Sequence, residues 1–149
     1  MCSSRVSLSS AQLHQSINRI FEEGFNQGNL AVVDELCSPD HFAHTAFGGA
    51  PNGPQGLKWL IAMFRTAFPD LHCILEDEIR EGDKIAAHWT MHGTQKGSFL
   101  GNPSTGRPVV AQGIIFARTE NGRIVEDWTQ VDQMGILQQL GLVPPPAGF

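Results

Sequence analysis

The hydrophobic period of this chain changes once, at Asp70. Before it, Leu13, Ile17, Ile20, Phe21 and Gly24 recur at helical spacing, and Leu57, Leu60, Ile61, Phe64 and Phe68 form a second stripe of the same kind. After it, Leu71, Cys73, Leu75 and Ile79 alternate with His72, Glu76, Glu78 and Arg80, and Ile85, Ala87, Trp89 and Met91 alternate with His88, Thr90 and His92. Helices followed by a run of antiparallel strands make an α+β fold, with the helices packed on one face of one sheet. Such a sheet, if strongly curved, leaves a cone whose mouth the N-terminal helices close around an internal pocket.

The punctuation places the elements. Ser9-Ser10-Ala11-Gln12 reads as a capping box for a first helix that ends before Gly28. A second helix runs from Leu30 to Cys37, capped by Asn29 and stopped before Pro39, and a third from Pro54 to Pro69. Strands follow to Arg80, from Ile85 to His92, from Val109 to Arg118 and from Arg123 to Val131, the last two joined by the hairpin signal Asn121-Gly122. Asp132 caps a final helix that Gly141 ends. The expected organisation is a disordered segment over 1–9, one domain over 10–141 and a Pro-rich tail over 142–149.

The 149 residues suffice for one buried core, and 41% hydrophobic with 17% charged residues is a globular balance. A net charge of −5, with the ten basic residues scattered, excludes a nucleic-acid surface. The three cysteines, Cys2, Cys37 and Cys73, have neither metal-site nor disulfide spacing and read as small apolar residues in a reducing compartment. The polar start Met1–Ser10 lacks the apolar core of a secretory signal, and no segment reaches the ~20 apolar residues of a membrane span. A cytoplasmic protein without membrane or nucleic-acid partners is expected.

Chemistry has few places to reside. His41 and His44, three apart on an extended segment, fall on opposite faces, and His88 and His92 are too far apart to chelate one ion, so no metal is expected. His44 precedes the glycine-rich loop Gly48 to Gly56, where ligand-contacting residues gather. On the last strand Glu126, Trp128, Gln130 and Asp132 point one way, and Val125, Asp127, Thr129 and Val131 the other. A carboxyl against an aromatic wall is desolvated and suited to general acid–base work. Glu126, Asp127 and Asp132 all stand as candidates, against readings as solvated strand residues or a helix cap. The Gly93–Gly106 stretch lacks the strand-to-helix context of a phosphate loop, and neither a nucleophile motif nor a redox-cofactor motif is present.

Several motifs in order resemble the SnoaL-like polyketide cyclase family of the nuclear transport factor 2-like superfamily. They are Pro39-Asp-His-Phe-Ala-His44, Ala67-Phe-Pro-Asp70, Glu81 to Thr90, Gly93-Thr94, Gly97, Phe99 to Gly106, Asn121 to Trp128, Asp132 and Gln139-Leu-Gly141. The resemblance implies a cofactor-free cyclase or isomerase, acting on a polyketide-like or other hydrophobic small molecule and working as a homodimer or higher oligomer. A carboxylate would remove a proton alpha to a carbonyl while neutral donors hold the enolate oxygen. It places that carboxylate among Glu126, Asp127 and Asp132, a polar pocket residue at His44, and Phe47, Trp59, Phe64, Phe68, Trp89, Gln112 and Trp128 around the substrate. Where the cyclases carry a pocket His on the penultimate strand, Gln112 is the only polar side chain here before Arg118, and Gly-Thr-Gln95 stands where many members read Gly-Thr-His. A non-catalytic binding module, or a hydrolase or hydroxylase holding an ordered water, remains open on the same fold.

Overall fold

The computed structural model describes residues 17–44 and 49–144. The helical half becomes α1 (Ile20–Phe25), wound as a π-helix, α2 (Ala31–Leu36) and α3 (Pro54–Ala67). The Ser9 capping box, the segment 1–9, Phe47 and residues 145–149 lie outside the described residues. Leu30 stands at the cap position of α2 in place of the expected Asn29, which lies one residue earlier and still serves the first turn, its Oδ1 accepting from the Ala31 N–H at 3.2 Å. The helix ends one residue earlier than expected: Cys37 is already extended and opens strand β1 (Cys37–Ala43). Pro39 enforces this, since it lacks a donor and disfavours helical geometry at Ser38.

The strand half forms β2 (His72–Glu81), β3 (Lys84–Thr94), β4 (Pro108–Glu120) and β5 (Arg123–Val131), followed by α4 (Gln133–Gln139). The sheet order is β1-β5-β4-β3-β2, antiparallel except where β1 runs parallel to β5. This is the expected α+β architecture, with a curved sheet that stays open between its edge strands β1 and β2. Pro39 is tolerated because β1 is an edge. Asn121 and Gly122 have φ of 51° and 76°, the paired left-handed residues of a tight hairpin turn.

Two side-chain amides act as extra strand residues. Asn26 brackets Cys73 on edge strand β2, donating to its carbonyl (3.0 Å) and accepting from its N–H (2.7 Å). Gln139 does the same to Val110 on β4, at 2.9 and 2.8 Å. The connection between β3 and β4 is organised by the buried Gln95, whose Nε2 donates to the Pro103 carbonyl (3.2 Å) and whose Oε1 accepts from the Thr105 N–H and hydroxyl (3.0 and 2.7 Å). Phe99 of that connection closes an aromatic cluster with Phe64 and Phe68. The concave sheet face and the helices share one apolar core. The convex face is also apolar in part, with Ile79 71%, Ile114 55% and Phe42 51% exposed.

Candidate functional site

Strand alternation selects what faces the helices. Asp127, Thr129 and Val131 of β5, Ile115 of β4, Trp89 and Met91 of β3, and Cys73 of β2 face inward, opposite Phe21, Phe25, Leu57, Leu60 and Phe64 from α1 and α3. Between them lies a cavity of about 320 Å³, within the range of small-molecule sites. Its wall is mostly apolar, and among the described residues its only carboxylate is Asp127 and its only imidazole His41.

These two meet because β1 runs parallel beside β5: Ala43 is in register with Asp127, which puts His41, two residues back, on the same inward face. His41 Nε2 lies 2.5 Å from Asp127 Oδ2, and the Thr129 hydroxyl approaches Oδ1 at 3.3 Å. His41 is 4% exposed, and its Nδ1 is buried with no partner among the described residues. The Trp89 indole N–H is likewise buried and unpartnered. Asn52 also reaches the wall, but its amide is committed to the backbone of Ala43 and to Gly53, pinning the loop before α3 to the end of β1.

The pocket admits the Trp89 ring only because residue 113 is glycine. Gly113 is the direct β4 partner of Trp89, and a Cβ there would lie 2.2 Å from Cζ2 and 2.6 Å from Cε2 of the indole. The cavity thiols are shut down by desolvation: burial pushes both Cys37 and Cys73 up to about 12, so they stay neutral and apolar.

The other candidates lie elsewhere. Glu126 and Trp128 share a face as expected, but it is the convex one. There Glu126 meets Arg118 Nε (2.5 Å) and His44 Nε2 (2.8 Å), and the His44 ring stacks on Trp128 with centroids 4.2 Å apart. The Arg118 hydrogen bond, then that from His44, holds the Glu126 carboxyl below the usual carboxylate range, the reverse of the shift expected beside an aromatic wall. Asp132 caps α4, its Oδ1 accepting from the Gly135 N–H at 2.9 Å. Gln112 faces outward toward His88 (3.2 Å), Trp59 is 39% exposed on α3, and Phe68 is buried in the aromatic cluster behind the cavity. Phe64 and Trp89 line the cavity. Sequence reasoning passed over His41, although its placement opposite His44 carried the signal. Among the described residues no three His, Cys, Asp or Glu side chains converge as a metal-ligand set, and no helix is long and apolar enough to cross a membrane.

The family model for SnoaL-like polyketide cyclases matches residues 15–140. The chain belongs to this family. It is 27% identical over 131 residues to aklanonic acid methyl ester cyclase DnrD of Streptomyces peucetius, covering 85% of this chain and 90% of that protein. Its fold superposes on TsrD of Streptomyces laurentii with a TM-score of 0.84 at 27% identity, covering 92% of this chain and 100% of TsrD. IdmH of Streptomyces antibioticus superposes with a TM-score of 0.75 at 33% identity, covering 87% of this chain and 99% of IdmH.

Proposed function

We propose that this SnoaL-like protein is a cofactor-free cyclase that closes a ring in a polyketide-like ketone, with Asp127 as the base. One observation carries the reading: the sole carboxylate and the sole imidazole on the cavity wall, among the described residues, are hydrogen-bonded to each other at 2.5 Å. His41 Nε2–H fixes Oδ2, and Oδ1 accepts the proton alpha to the substrate carbonyl. The enolate carbon then bonds to a second carbonyl carbon of the same molecule. The resulting alkoxide recovers the proton from Asp127, so the net change is an isomerisation that consumes nothing. The apolar wall folds the substrate for that attack and keeps water from the carboxylate. The relative DnrD, a cyclase by name, motivates aklanonic acid methyl ester as the first substrate to try.

The test is turnover of that ester by the wild type and three amide variants. Asp127→Asn is expected to lose at least about 100-fold in kcat, the low end for a general base, with its melting transition intact. Glu126→Gln and Asp132→Asn are expected to retain turnover. Full activity in Asp127→Asn would sink the mechanism, and cyclisation lost equally in all three would deny Asp127 a special role.

We also propose that the convex sheet face seats a second copy of the chain, supported by the run of exposed Ile79, Ile114, Phe116 and Phe42 across it. Sedimentation of the wild type against Ile114→Lys checks this: a wild-type monomer at micromolar concentration would refute it.

A further inference from the structure

The His41–Asp127 pair sits on an irregular stretch of sheet. β1 meets β5 in register at Cys37–Ile124, and again at Phe42–Glu126 and Ala43–Asp127. Between these points five steps along β1 answer two along β5. His41 stands inside that irregular stretch, together with Pro39 and its missing donor. The ladder therefore does not by itself set how closely the His41 ring approaches Asp127. Regular pairing resumes at Phe42, one residue past His41, and is closed by His44.

His44 grips three consecutive residues of β5. Its N–H donates to the Asp127 carbonyl at 2.9 Å, its Nε2 lies 2.8 Å from Glu126 Oε2, and its ring stacks on Trp128 with planes 6° from parallel. Any residue would supply the backbone bond. The two side-chain contacts are particular to His44, and they lie on the outer face because Glu126 and Trp128 alternate with the inward Asp127. Glu126 is a fixed post, since its other oxygen is held by Arg118, its register partner on β4. We infer that His44 is a positioning residue: from the outer face it clamps β1 to β5 and so holds the His41 ring on Asp127 across the sheet. The His44 side chain is 34% exposed, and an exposed contact of this kind adds little to global stability. What it fixes is the placement of the strand end, and a hydrogen bond of 2.5 Å depends on distance and angle alike. The consequence for turnover rests on the cyclase reading; the clamp on the pair does not.

The first readout needs no substrate. A short N–H···O bond to a carboxylate moves its proton far downfield of the amide signals. In ¹⁵N-histidine-labelled protein the His41 Nε2 proton is assigned by its displacement in Asp127→Asn. His44→Ala is expected to move this proton upfield or lose it to exchange with water, with the melting transition intact. His44→Gln should restore much of the signal, because its amide reaches Glu126 about as far as the imidazole does. His88→Ala, which removes an outer-face imidazole bonded to Gln112, should leave the signal in place. In turnover of aklanonic acid methyl ester, His44→Ala should lose about 100-fold in kcat, the cost of misplacing a reacting group by about 1 Å. KM should hold, since the apolar wall is untouched. The inference is wrong if His44→Ala leaves the His41 proton where it was, if His88→Ala displaces it equally, or if His44→Gln restores nothing. A wild type without a downfield His41 proton would also overturn it. Should His44→Ala unfold, His44→Phe, which keeps the stack and loses the bond to Glu126, carries the same test. A displaced His41 proton in His44→Ala, together with an Asp127→Asn variant that still cyclises, would leave the clamp and remove the mechanism.

Discussion

Gly113→Ala is a one-methyl change whose effect can be worked out atom by atom. The new Cβ would lie 2.2 Å from Trp89 Cζ2, 2.6 Å from Cε2 and 2.7 Å from the Gln130 carbonyl oxygen. Carbon atoms in contact sit ~3.5–4.0 Å apart, so the indole has to retreat by more than ~1 Å. It is packed against Phe21, with ring centroids 5.8 Å apart, so the shift propagates into the cavity. Overpacking of this kind costs ~1–3 kcal/mol, a fall in Tm of roughly 2–10 °C for a chain of this size. The assay is thermal unfolding by circular dichroism, repeated in a Trp89→Leu background. There the indole clash is gone and Ala replaces Gly in a strand, a change favourable by ~0.5–1 kcal/mol. The cost of the Ala should therefore shrink by at least ~1 kcal/mol. Rescue is partial because the Gln130 oxygen remains. Additive effects in the double variant would refute the argument that Gly113 exists to admit Trp89.

Glu126→Gln is expected to lower Tm at pH 7. The carboxyl is held below its ordinary range, so its contribution is present above the unfolded pKa and is lost as pH falls through the lower folded value. The gap between variant and wild type should close in acid, as melts from pH 7 to 3 would reveal. Gln95→Leu removes the partners of the Pro103 carbonyl and the Thr105 N–H at a buried position, expected to cost ~2–4 kcal/mol and to speed hydrogen exchange at Thr105. Cys37 and Cys73 should resist alkylation at pH 8 in the native protein and react once it is unfolded; peptide mapping of the alkylated sites checks this.

The period change at Asp70, the Asn121-Gly122 hairpin and the Asp132 cap were all legible, because each depends on neighbours in the chain. So was the split of the last strand into two faces. Which face looks inward was not, because the usual polarity is blurred: Ile114, Phe116 and Trp128 lie outside, while Asp127 and Thr129 lie inside. The two acids that share a strand face with Trp128, Glu126 and Asp132, therefore lie off the cavity wall, and Asp127, the third candidate, is the one that lines it. His41 escaped because its partner comes from a parallel pairing that no local spacing encodes. Gln95 could be seen to replace a His, but its role as the inner scaffold of the β3–β4 connection emerges only when the connection folds back and brings backbone and hydroxyl groups of Asn102, Pro103 and Thr105 onto it.

The parallel seam between β1 and β5 also has a kinetic meaning. β2, β3, β4 and β5 follow one another in sequence, so three antiparallel pairings can zip with modest loop closures. His41 and Asp127 are 86 residues apart, and closing a loop of that length costs on the order of 4 kcal/mol of chain entropy. The seam is thus expected to form last and open first. A nascent or partly opened chain can then hold most of its sheet while its two proton-handling groups are still strangers, and amide exchange along β1 faster than along β3 and β4 would be the mark of that order.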